Sequence, residues 1–164
     1  MEFFTVSLLN GVSYGLLLFM LTAGLTLVFS LMGVLNFAHA SFYMVGAYFG
    51  YQISRWTGFW PGLVIAPLAV GLIGMAVERW GLRRVHRHGH VAELLFTFGL
   101  AYLIEEAVHL VWGRSALDYK FPPELAGTLF QVFGTGFPAY RAFMMAVALA
   151  MLAAIRLTLT RTRA

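Results

Sequence analysis

Apolar runs, each near the length needed to cross a bilayer and separated by short polar or glycine-containing intervals, set the pattern of the chain. A membrane-crossing helix needs about 20 predominantly apolar residues. The runs over residues 4–32, 37–54, 63–77, 91–112 and 141–160 predict five such helices. The first is long enough to cross with tilt, and its Gly11 and Gly15 have the small-xxx-small spacing that lets helices approach closely. The second would be about 27 Å long at 1.5 Å per residue, barely a crossing, and Gly46 and Gly50 repeat the spacing there. Pro67, Gly71 and Gly74 predict a mild kink in the third. Between the second and third, Arg55, Trp56, Trp60 and Pro61 read as an interfacial turn with its tryptophans at headgroup level.

Composition agrees with an all-α integral membrane protein. The chain is 60% hydrophobic and 11% charged, with a mean hydropathy of +0.80, where a soluble domain carries roughly 25% charged residues. Its 164 residues make a single transmembrane domain, with little left for a soluble one. The formal charge of +4 comes from arginines that flank apolar runs without forming a basic face, a pattern that writes membrane topology and argues against nucleic-acid binding. There is no cysteine, which excludes disulfides, a cysteine nucleophile and thiolate metal sites. Ala38, His39 and Ala40 have the small-residue spacing of a signal cleavage site. However, the first ten residues hold no Lys or Arg, and the preceding apolar run is about twice the 7 to 15 residues of a signal core.

Residues 79–90, RWGLRRVHRHGH, carry four arginines and predict a basic cytoplasmic loop. From there the N-terminus lies outside, the connection at Asn36 and His39 inside, and a loop of about 28 residues, 113–140, outside. The C-terminus is then cytoplasmic, with Arg156, Arg161 and Arg163 beside it.

Polar groups at membrane depth are few. Asn36 and His39 interrupt apolar sequence, which reads either as a functional break or as a helix cap, Gly33 ending one helix and Asn36 capping the next. Glu105 and Glu106 precede His109 by four and three residues, within reach on a helix. They read as a proton relay, an interfacial acidic cluster or a partner for another helix. Glu93 is expected to stay solvated. His86, His88 and His90 superficially resemble a metal tract, but Arg83, Arg84 and Arg87 would repel a cation with no nearby carboxylate to offset them, so a solvated basic loop is expected and no metal. Neither a GxxxxGK[ST] phosphate loop nor a GxSxG nucleophile elbow occurs, and no enzyme constellation is present.

The run GLTLVFSLMGVLNFAHASFYMVGAY resembles the N-terminal signature of the membrane permeases of branched-chain amino acid ABC importers, centred on Asn36-Phe37-Ala38-His39. The resemblance continues colinearly through Glu78-Arg79 and the basic stretch, LLFTFGLAYLIEEAVHLVWG, an external loop, a further span and Arg161-Thr162-Arg163. It implies an inner-membrane, non-enzymatic subunit importing leucine, isoleucine and valine, or amides and urea. The implied partners are a second permease, two cytoplasmic ATPases that use ATP, and an external solute-binding protein, with no cofactor on this chain itself. It also implies a place for Asn36 and His39 beside the translocation path. Two departures stand out. Glu105 and Glu106 occupy a position where relatives often carry amides. The chain also stops at Ala164, before the family's ATPase-docking segment, so it reads as an incomplete or split permease. A different class is a self-contained small channel or proton-linked transporter built on His39, Glu105, Glu106 and His109.

Overall fold

The computed structural model describes residues 2–119, 122–132 and 135–161. Its helices are α1 (Glu2–Met32), α2 (His39–Thr57), α3 (Phe59–Val77), the single turn α4 (Arg83–Val85), α5 (His90–Trp112) and α6 (Ala139–Arg161). Among the described residues, four segments are both long and apolar enough to cross a membrane: Phe4–Ser30, Phe59–His88, His90–Trp112 and Ala139–Arg161. This is an all-α membrane protein in its spanning parts. The fifth expected span, α2, has 19 residues, about 28 Å at 1.5 Å per residue. Length suffices there, but Ser41, Gln52, Ser54 and Arg55 dilute its apolar character.

Two stretches expected to be irregular carry regular structure. Residues 79–90 continue the helix that precedes them, through a π-helical turn (Glu78–Leu82), α4 and a 3-10 turn (His86–His88). The irregular backbone narrows to Gly89, whose φ of 91° lies in the left-handed region that costs glycine least. A run without proline or β-branched crowding at its basic positions has no reason to leave the helix, so charge alone did not make a loop. In the 113–140 stretch the strands β1 (Thr128–Val132) and β2 (Thr135–Pro138) pair antiparallel, with an irregularity between Thr128 and Phe130. Thr, Phe and Val suit a pleated ribbon, and α6 then begins at Ala139, slightly before the expected 141.

The chain divides into two compact units, one running from Gly24 to Tyr119 and the other formed by the residues before and after it. In the first, α2 lies along α3. A Cβ placed on Gly46 would sit 3.8 Å from Val70 Cγ2, and one on Gly50 would sit 4.0 Å from Ala66 Cβ, both ordinary contact distances. Small residues allow this approach, and dispersion between the helices sustains it where lipid is as apolar as the helices themselves. Among the described residues of their unit, nothing lies within 4 Å of such a Cβ on Gly11 or Gly15 of α1. In the second unit Ser13 is buried and donates to Leu9 O at 2.8 Å, and an Arg141 Nη1 proton goes to Asn10 Oδ1.

Large apolar side chains face outward along the helices. On α5 the residues turned inward include Glu93 and Thr97, 2% and 1% exposed, while Leu95, Leu103 and Leu110 face out. Hydrocarbon surroundings explain the outward leucines, which lose nothing there.

Candidate functional site at the helix break

The break between α1 and α2 is built by three residues in succession. Gly33, at φ 67°, ends α1 and donates its N–H to Phe29 O at 2.8 Å. Val34 turns inward and is 2% exposed, anchoring the connection. Asn36 then accepts twice: its side-chain Oδ1 takes the Ala38 N–H at 3.0 Å and its backbone carbonyl takes the His39 N–H at 3.1 Å. α2 starts at His39 with Ala38 as its cap residue, and the carboxamide closes the turn ahead of the helix. Helix-entry N–H groups left bare at membrane depth would each cost several kcal/mol, roughly, so the side chain has a structural task whatever else it does.

His39 occupies the first position of α2, and its ring lies against the backbone of α1 at Gly24. A Cβ on Gly24 would fall 2.8 Å from His39 Cε1 and 2.9 Å from Nε2. Only a glycine leaves room for the imidazole there.

Asn36 and His39 line a cavity of about 320 Å³ within the 24–119 unit. Pockets for small organic ligands run from roughly 300 to 1,000 Å³. Most of the wall is apolar, including Val28, Phe42, Val70 and Leu100, and the polar groups are Asn36, His39, Glu78 and Thr97. Glu78 accepts from Arg83 Nε at 2.7 Å, and Thr97 donates its hydroxyl to Leu94 O at 3.2 Å. The result is an apolar chamber with a few hydrogen-bonding groups near a helix break, which suits holding a small amphipathic solute.

The other sequence candidates fall elsewhere. Glu105, Glu106 and His109 do not reach this cavity, whose last α5 residue is Leu100. Glu106 is 60% exposed, with Arg114 Nη2 at 3.4 Å, nearer than the 3.9 Å to His109 Nδ1. That Nδ1 atom is buried without a hydrogen bond. His39 is therefore not brought together with this group; Glu106 pairs with Arg114, and Glu105 is exposed.

Glu93 corrects the expectation of a solvated side chain. It is 2% exposed, its Oε1 contacts His86 Nδ1 and its Oε2 lies 3.2 Å from His90 Nδ1. The turn at Gly89 folds the end of the helical extension back over the first turn of α5, so a residue just inside that helix is covered by the two histidines on either side of the turn. A carboxylate thus does stand beside the histidine tract, where none was expected. Among the described residues no group of three His, Asp or Glu is arranged to hold a metal ion. Glu78, Thr97 and Gly24 were missed as site residues. The i,i+4 polar pair Glu93 and Thr97 in an apolar helix was the one signal available for an inward face.

The sequence profile of the family described as "Branched-chain amino acid transport system / permease component" matches residues 7–164. The chain belongs to that family. This permease chain is 26% identical over 121 residues to the high-affinity branched-chain amino acid transport system permease protein LivH of Escherichia coli (strain K12), covering 68% of this chain and 39% of that protein. LivH of Salmonella typhimurium (strain LT2) matches to the same extent. BraD of Pseudomonas aeruginosa, a permease protein with the same system description, is 26% identical over 137 residues, covering 77% of this chain and 43% of its own length. The permease chain thus spans about two fifths of the length of these curated relatives. No solved structure matches it.

Proposed function

We propose that this chain forms part of a multi-pass inner-membrane permease that imports branched-chain amino acids, or related amides and urea, and that the cavity at the helix break belongs to its solute path. One observation carries the reading: in a chain of the permease family, the interrupted helix holds Asn36 and His39 on the wall of an apolar chamber of ligand size. An aliphatic side chain suits the Val, Phe and Leu wall, and broken-helix ends present polar groups to a solute inside a membrane. Transport in this reading is driven by two partner ATPases that use ATP, with a second permease subunit and an external solute-binding protein. Five spans cross the bilayer, α2 included. The N-terminus is outside, and Arg79, Arg83, Arg84 and Arg87 share the cytoplasmic side with Arg156 and Arg161, following the excess of positive residues there.

The absence of cysteine makes the test direct. Single-cysteine variants Asn36→Cys, Thr97→Cys and, as a lipid-facing control, Leu110→Cys are exposed in membranes to a thiol reagent, with and without L-leucine. Leucine is expected to slow labelling at 36 and 97 and leave 110 unchanged. Equal labelling at 36 and 97 under saturating leucine, isoleucine, valine and urea would exclude this cavity from the path. His88→Cys, labelled only from the cytoplasmic side, checks the orientation.

A further inference from the structure

The helical extension over residues 78–88 carries more positive charge than its own unit neutralises. Two carboxylates stand at this end, and both are engaged. Glu78 accepts from Arg83 at 2.7 Å, and the buried Glu93 holds His86 and His90. Arg79, Arg84 and Arg87 are exposed and have no carboxylate partner among the described residues. Trp80 is 63% exposed and lies one helical turn before Arg84, so an indole and a guanidinium share a stripe.

Position adds to the charge. The extension ends the segment Phe59–His88, which is long and apolar enough to cross a membrane; its 30 residues run about 45 Å at 1.5 Å per residue, against a hydrocarbon core of roughly 30 Å, so the charged last turns are assigned to headgroup depth. An indole is favoured at that depth. Guanidinium groups pair with phosphate oxygens through a planar fork of donors, and basic residues beside a membrane-crossing helix draw anionic lipid. With Glu78 and Glu93 already committed, nothing local competes for the three guanidiniums. From this geometry we infer that Arg79, Arg84 and Arg87, with Trp80 beside them, form a binding surface for the phosphate headgroups of anionic phospholipid. The inference does not depend on the transport reading, because it concerns the isolated chain in the absence of any solute.

The purified whole chain, stripped of lipid in a neutral detergent, is titrated with phosphatidylglycerol and with phosphatidylcholine, and binding is read by native mass spectrometry. Phosphatidylglycerol is expected to bind more tightly, and added salt to weaken it. Each arginine removed is expected to cost about fivefold, so that Arg79→Gln/Arg84→Gln/Arg87→Gln loses on the order of 100-fold. Arg55→Gln, at the opposite end of α2, should leave the affinity unchanged. Should the triple variant fail to fold, the three single variants carry the same test at fivefold each. Equal binding of the two lipids to the wild-type chain overturns the inference, as does undiminished phosphatidylglycerol affinity in the variants. Complete displacement by millimolar inorganic phosphate would mark a free-anion site instead and would also overturn it. Loss of ATPase-subunit capture with lipid affinity intact would assign the arginines to a protein partner, against the proposal.

Discussion

Substituting Gly24 with alanine tests the seat of His39 most directly. The new methyl carbon would lie 2.8 Å from His39 Cε1 and 2.9 Å from Nε2, while comfortable carbon contacts begin near 3.5 Å. The ring must therefore yield by about 0.7 Å, against an α2 whose start is pinned by the Asn36 turn. Overpacking of this kind costs about 1–3 kcal/mol. Alanine in a helix interior returns about 1 kcal/mol over glycine. The net expectation for Gly24→Ala is a loss of about 0–2 kcal/mol, small enough to mislead if measured alone. In a His39→Ala background the collision is gone and only the helix gain remains, so the same substitution should stabilise by about 1 kcal/mol. The coupling between the two sites is then about 1–3 kcal/mol, well above the 0.3–0.5 kcal/mol scatter of independent sites. Reversible unfolding of the four proteins in mixed detergent and SDS micelles measures it. A coupling inside that scatter would refute the contact, and with it the place of His39 between α1 and the cavity. Leucine protection of Asn36→Cys, repeated in the Gly24→Ala background, should weaken as the ring is pushed toward the solute.

The remaining expectations follow from other close contacts. Asn36→Ala should lower stability by about 0.5–2 kcal/mol through the lost acceptor for the Ala38 N–H, and the neutral acceptor in Asn36→Ser should restore part of it in the same unfolding assay. Gly62→Ala should destabilise by about 1–3 kcal/mol, because its Cβ would meet Ser54 Oγ at 2.3 Å and the Ser54 backbone at 3.2 Å. Gly11→Ala, with nothing within 4 Å, should instead be neutral or stabilising by up to about 1 kcal/mol in the isolated chain. A large loss at Gly11 would show that its face is packed. Removing both histidine partners, His86→Ala/His90→Ala, takes away both hydrogen-bond partners of the Glu93 carboxylate and should cost about 1–3 kcal/mol. Adding Glu93→Leu should recover part of that loss, and further destabilisation would argue that the carboxylate is satisfied some other way.

Local signals carried much of the architecture. The apolar runs named every long helix, because in hydrocarbon the backbone must satisfy itself and a helix is the way one segment does so. Gly33 announced the end of α1, since a left-handed cap acts within a few residues of itself, whereas Asn36, expected to cap the next helix, closes the turn ahead of it and Ala38 takes the cap position. What a residue's own neighbours do not determine was not legible. Gly24 and His39 are fifteen positions apart, and only the return of the chain through the break sets the ring on that glycine. Glu93 looked like a solvated residue near a membrane surface until the Gly89 turn laid His86 and His90 over it. Thr97 and Glu78 became cavity wall in the same way, through the packing of α5 against α2 and the π-helical turn. The sequence by itself determined the long apolar helices and the break at Gly33, because hydrogen bonding and hydrophobicity act locally along the chain; that residues 78–88 stay helical was not legible in it. The tertiary structure alone decided which polar groups share a chamber and which carboxylates are covered, because those depend on contacts between segments distant in sequence.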